Sequence, residues 1–248
     1  MAEQITNYAD GTIHERASLV DGQLDGPVTT YGESGNVVRE ATFKGGKLEG
    51  EVTSYDANGG VSQIATFVNG ELNGPVSIFA DGWIAQKMTY RDDKPNGESL
   101  IYRNGEIQTR SVYVDGALDG EFVSYDESGN VVGRALYAKG KLEGESLWFS
   151  KEGSLLKRAP CSNGMLNGIV IEYFPSGATR VTASYKDDKL DGESTRYYES
   201  GLVAERTFYK DGKQYGDKIE FEESGDLKNG EGQSPGGIRG LLARFRGQ

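Results

Sequence analysis

The chain is poor in the residues from which metal sites and nucleophilic relays are built. Its 248 residues include one cysteine, Cys161, and one histidine, His14. A single cysteine excludes an intramolecular disulfide, and Cys161 reads as a packed thiol. One histidine without a cysteine partner excludes zinc held by its usual ligands and a Ser-His-Asp relay, which leaves His14 as a surface residue. No glycine-rich loop ending in Gly-Lys-Ser/Thr is present to cradle a nucleotide phosphate. Cationic charge is also scarce: 38 Asp and Glu stand against 27 Lys and Arg, for a net charge of -11. That balance argues against nucleic acid as a ligand and favours a cationic protein partner. Apolar runs of membrane-spanning length are lacking, and residues 1–10 lack the blocks of a secretory signal, so the expected compartment is the cytoplasm. No cofactor or metal is expected, and the chain reads as a non-enzyme.

What the chain has in abundance is glycine, 36 residues, in strict register. The second glycine of a Gly-x-Leu-x-Gly signal falls at Gly26, Gly50, Gly74, Gly97, Gly120, Gly144, Gly168, Gly192 and Gly216, at steps of 23 or 24 residues. Five places after each stands an aromatic: Tyr31, Tyr55, Phe79, Tyr102, Tyr125, Phe149, Tyr173, Tyr197 and Phe221. Both 23-residue steps arise in one turn, at Ala80-Asp81-Gly82 and Arg103-Asn104-Gly105. A fixed period over about nine copies marks a repeat array, and a stacked array is one continuous body, so residues 1–225 read as one domain with a half repeat at 1–19.

Each tile holds two runs of β-branched and aromatic residues divided by Asp-Gly or Asn-Gly turns and by longer Ser-Gly turns, which predicts consecutive hairpins. The fold expected is all-β: an elongated, single-sheet, antiparallel β-hairpin array. Stacking the strands on their turn glycines places a β-branched rung (Val37, Val61, Ile84), a small rung (Ala17, Ala41, Ala65) and a bulky rung (Phe43, Phe67, Tyr90) on one face. Two charged ladders also emerge, a basic one (Arg16, Lys87, Arg110, Arg134, Arg158, Arg206) and an acidic one (Glu51, Glu98, Glu121, Glu145, Glu193). Whether they share a face depends on whether the Asp-Gly turns have two or three residues. Pro95, in place of the usual Leu, predicts a local kink or edge irregularity. Residues 226–237 read as a Gly-rich linker. In residues 238–248, Ile238, Leu241, Leu242 and Phe245 recur at helical spacing among arginines. This basic tail reads as a short capping helix, a disordered end, or a segment that meets a membrane or a partner.

The tile, as in residues 125–149 with Tyr125, Tyr137 and the signal Gly140-Lys-Leu-Glu-Gly144, resembles the variant MORN repeat of bacterial proteins, including the YwqK-type family of toxin–antitoxin antitoxins. The resemblance covers roughly residues 8 to 225 and implies stacked hairpins in an elongated sheet. For function it implies a protein-binding module, with an antitoxin or immunity protein that occludes a toxin as the specific form. The alternative is a scaffold or membrane-proximal adaptor whose basic tail touches lipid. Carboxylate pairs such as Asp21/Asp25, Asp115/Asp119 and Asp187/Asp191 would suit calcium in composition but fall on turns, where Asp serves the backbone. Residues that depart from the repeat mark the candidate partner surface: Trp83, Ile101, Arg110, Phe122, Arg134, Trp148 and Arg158.

Overall fold

A computed structural model of the chain describes residues 2–228. The linker from 229 onward and the 238–248 tail, with the short helix expected there, lie outside the described residues. Within them there is no helix, and 23 strands, all antiparallel, make up an open sheet. The chain divides into two compact units, Met1–Val131 with Leu136–Gly140, and Val132–Ala135 with Lys141–Gln248.

Two kinds of turn alternate, and left-handed backbone decides both, carried by glycine in most turns and by Asp92-Asp93 and Asp187-Asp188 in two. In the first unit Val20 pairs with Gln23 across Asp21 and Gly22, whose φ angles of 50° and 82° make a two-residue turn of the mirror-image type I′. In the second unit Ser162 pairs with Met165 across Asn163 and Gly164 in the same way. Left-handed backbone at both positions is tolerated by Asn or Asp followed by Gly, and its twist matches that of the strands. At the other end of most tiles the loop is longer: Tyr31 pairs with Val37, and Gly35 N–H donates to Gly32 C=O at 2.9 Å. The two 23-residue tiles shorten that loop to a second type I′ turn, at Asp81-Gly82 between the paired Ala80 and Trp83 and at Asn104-Gly105 between Arg103 and Glu106.

The Gly-x-Leu-x-Gly signal joins each hairpin to the next. Gly46 N–H donates to Leu24 C=O and Gly70 N–H to Leu48 C=O, each at 2.8 Å; in the second unit Gly164 and Gly212 repeat the bond to Leu142 and Leu190. The residue after the Leu, or after Pro95, also bonds the same turn, donating where it is Asn73, Asn96 or Asn167 and accepting where it is Asp or Glu. Asp25 takes the N–H of Gly45 at 3.0 Å, Glu49 that of Asn69 at 2.9 Å and Glu143 that of Asn163 at 2.9 Å. At Pro95 the register shifts before Ser99, but the tile with Leu72 carries the same shift, so proline is not its cause; only the Pro95 carbonyl is needed in the joint, and it accepts Gly116 N–H at 2.8 Å as Leu does elsewhere. The signal's second glycine sits in an irregularity in which three residues, Asn73, Gly74 and Pro75, face the single residue Thr66. Gly74 has φ +131°, and a Cβ there would stand 2.9 Å from Thr66 Cβ, so backbone conformation and crowding both require glycine.

The core is a row of small residues running across the strands. In the first unit Val52, Ala65, Val76, Met88, Ser99 and Ser111 pair in succession, and all but the half-buried Met88 are buried. In the second, Ser146 pairs with Ala159 and Val170 with Ala183, all four buried. No large side chain among the described residues is fully enclosed. The bulky rung lies on the same face, where Phe43 and Phe67 pair with Leu48 and Leu72. Cys161 belongs to this rung and is buried, 3.9 Å from Ser146 Oγ.

The β-branched rung does not share that face. Tyr31 pairs with Val37 but Thr30 with Arg39, so Val38 is an extra residue in a β-bulge; the shift recurs at Tyr55, Phe79, Phe149 and Tyr173. One inserted residue reverses the alternation. Val37, Val61 and Ile84 therefore sit beside Tyr31, Tyr55 and Phe79 on the opposite face from the small residues.

Gly59 has φ +82° and open space around it, which separates conformation from crowding. In urea unfolding, Gly59→Ala is expected to cost about 1–2 kcal/mol for the left-handed backbone alone, and Gly74→Ala about 1–3 kcal/mol more; equal costs would refute the crowding argument. At Asp191 a hydrogen bond from Lys210 and a second from Asp211 N–H hold the carboxyl below its ordinary value. A depressed carboxyl stabilises the fold above its unfolded value, and that contribution disappears as pH falls through the folded one. Asp191→Asn should therefore flatten the loss of stability as pH falls below about 5 relative to wild type, as read from urea midpoints.

Candidate protein-binding surface

Register places six of the seven sequence-derived surface residues on two faces. In the first unit Ile101 and Phe122 lie on the face of the small-residue row, while Arg110, which pairs with Val123, lies on the other. In the second unit Trp148 lies with Ser146 on the small-residue face, and Arg134 and Arg158, each paired with Leu147, lie opposite. The seven therefore do not compose one surface.

The charged ladders do share a face, as the two-residue turns require. Arg110 reaches Glu98 at 3.4 Å and Glu121 at 2.8 Å, Arg158 reaches Glu145 at 2.5 Å, and Arg206 reaches Glu193 at 3.4 Å. In each case the partner stands diagonally across the strand pair, within reach of a long side chain. Arg110 pairs with Leu100 and Arg158 with Leu147 on this face, so apolar and charged side chains alternate across it. Exposed ion pairs of this kind are each worth only about 0.2–1 kcal/mol. Their effect is to neutralise the basic ladder.

Among the aromatic members of the set, Phe122 is half-buried and meets Tyr137 edge to face at 6.2 Å. Trp148 is 43% exposed, with Lys157 Nζ 5.5 Å from its ring centroid. Trp83 is 67% exposed, the highest value among the large hydrophobic residues described, and Ile101 is 44% exposed. Ile78, on the small-residue face, pairs with Gln86, which pairs with Ile101, so the two isoleucines flank one glutamine. Where the first unit's other tiles place Thr30, Ser54 and Ser124, these two place isoleucine.

The shortened turns frame Trp83. An open cleft of about 540 Å³ is lined by Asp81, Trp83, Ile84, Tyr102, Arg103 and Asn104. The Trp83 ring leans toward the next turn, 3.9 Å from where a Cβ on Gly105 would be. Asp81, Tyr102 and Arg103 were not singled out from the sequence, although the missing residue in each of these two turns was the available signal. A smaller cleft in the same unit is lined by Val37, Glu40 and Tyr55; there Tyr55 Oη donates to Glu40 at 2.6 Å, which pushes the phenol above its ordinary value. All but Asp21 of the turn carboxylates considered for calcium instead accept backbone or side-chain N–H groups: Asp25 takes Gly45, Asp115 takes Asn96, Asp119 takes Lys139, Asp187 takes Asn167 and Asp191 takes Asp211. Among the described residues no group of three or more acidic, histidine or cysteine side chains is arranged to hold a metal, and no helix is long and apolar enough to cross a membrane.

No curated protein matches the chain. Among solved structures, the crystal structure of TcdB2-TccC3-Cdc42 is 12% identical, with a TM-score of 0.22, over 91% of this chain and 15% of that one. The crystal structure of TcdB2-TccC3-TEV is 15% identical, with a TM-score of 0.21, over 89% of this chain and 12% of that one. This chain thus spans less than a sixth of the length of either. Residues 24–44, 48–69, 118–139 and 190–211 match the MORN repeat variant, each match running from the signal's Leu through one hairpin to the next turn.

Proposed function

We propose that the chain is a non-enzymatic protein-binding repeat module, acting in the cytoplasm as an antitoxin or immunity protein that occludes a toxin. The observation that carries this reading is the set of exposed apolar side chains on two adjacent tiles of the first unit, Ile78, Trp83 and Ile101, at positions given to Thr, Ser or turn residues in most of that unit's other tiles. Exposed tryptophan and isoleucine on a rigid sheet are costly to solubility and match what partner surfaces present. A repeat whose core is satisfied by small residues leaves such positions free to vary without loss of fold.

Co-expression with the product of a growth-inhibiting neighbouring reading frame should restore growth, and the two chains should co-purify. If no neighbouring product is toxic, or neutralisation occurs without a complex, the antitoxin reading is lost. Sedimentation with anionic vesicles that disappears on deleting residues 238–248 would put the membrane-adaptor alternative in its place.

A further inference from the structure

The two units differ in charge. The first carries 21 acidic and 10 basic residues, net -11, and the second carries 17 of each, net zero. The whole excess of the chain thus resides in the unit that holds the Trp83 cleft, where the potential favours a cationic visitor.

We infer that the Trp83 cleft of the first unit seats a lysine or arginine side chain of a basic partner protein, its stem against Trp83 and Ile84 and its charged head toward Asp81. This deepens the protein-binding reading and rests on it. The chain contains its own precedent in the second unit, where Lys157 covers the ring of Trp148. Trp83 has no such cover and offers an open indole face, the best of the aromatic platforms for a cation. Asp81, at the first position of the type I′ turn, makes no hydrogen bond or ion pair among the described residues, whereas Asp93, Asp115 and Asp188 on other turns are each occupied by an N–H donor. Arg103 is the single cation lining the cleft and opposes the visitor, which supplies an internal control.

The test uses fluorescein-labelled peptides of repeated Arg-Gly-Leu-Lys and of repeated Glu-Gly-Leu-Glu, with the full chain titrated at low salt and read by anisotropy. The basic peptide should bind at least about tenfold more tightly than the acidic one, and its affinity should fall as salt rises. Trp83→Ala and Asp81→Asn should each weaken it by about threefold to thirtyfold, and Arg103→Gln should strengthen it. Asparagine keeps the left-handed turn, so Asp81→Asn removes charge without removing structure, and it decides the matter if Trp83→Ala does not fold. Absence of binding, preference for the acidic peptide, indifference to Asp81→Asn, or weakening by Arg103→Gln would each overturn the inference. A co-purifying toxin that binds Trp83→Ala normally would also overturn it, while leaving the protein-binding reading intact.

Discussion

The fold depends on one contact repeated along the chain: the N–H of a turn's second residue, glycine in most joints and Asp93 or Asp188 in two, donated to the carbonyl of the Leu, or of Pro95, one hairpin earlier. A hairpin alone is marginal in water, because its strands expose half their backbone groups and bury little. The bond at the turn, reinforced by the carboxylate or amide beside it, fixes where each hairpin lies against its predecessor. The second glycine of the signal lets the strand make the detour that brings this carbonyl to the turn. Leu, acceptor and glycine are thus parts of one joint, which explains why they travel together at a constant spacing while neighbouring residues vary.

A core of Ala, Val and Ser follows from this geometry. The strands are held by backbone bonds and by shallow packing of half-buried aromatics, so no bulky residue needs complete enclosure. Such a sheet depends on many weak increments distributed along it, as in other repeat proteins. The diagonal Arg–Glu pairs belong to the same logic, since each is weak but together they let one face be densely charged without repulsion between like neighbours. Where two tiles drop a loop residue, the regular surface opens and Trp83, Ile84 and Tyr102 line a cleft. Function is expected where the repeat is broken, because the joint elsewhere leaves little room for change.

Much of this was legible in the residues. The glycine register, the Asn-Gly and Asp-Gly turns and the alternating runs sufficed for an antiparallel hairpin array, because each reports a local backbone requirement that few other residues satisfy. Trp83 and Ile101 stood out as departures from the tile and are exposed. Arg110 and Arg158 also stood out, yet they are occupied by Glu98, Glu121 and Glu145 on the same face. Their pairing could not be read without turn length, because one residue more or less at a turn changes which side chains meet.

The sequence by itself determined the period, the strand content, the turn chemistry and the net negative charge, all of which are set by residue type at fixed local spacing. Only the tertiary structure decided which rungs share a face. The bulge opposite each tile's aromatic, beside long and shortened turns alike, carries Val37 and its equivalents away from the small-residue row, and no period count can see an inserted residue that recurs in every tile. It likewise decided that the turn carboxylates serve the next hairpin's backbone and that Trp83, Tyr102 and Asp81 meet at one cleft, since those contacts join residues about 20 positions apart that only strand pairing brings together.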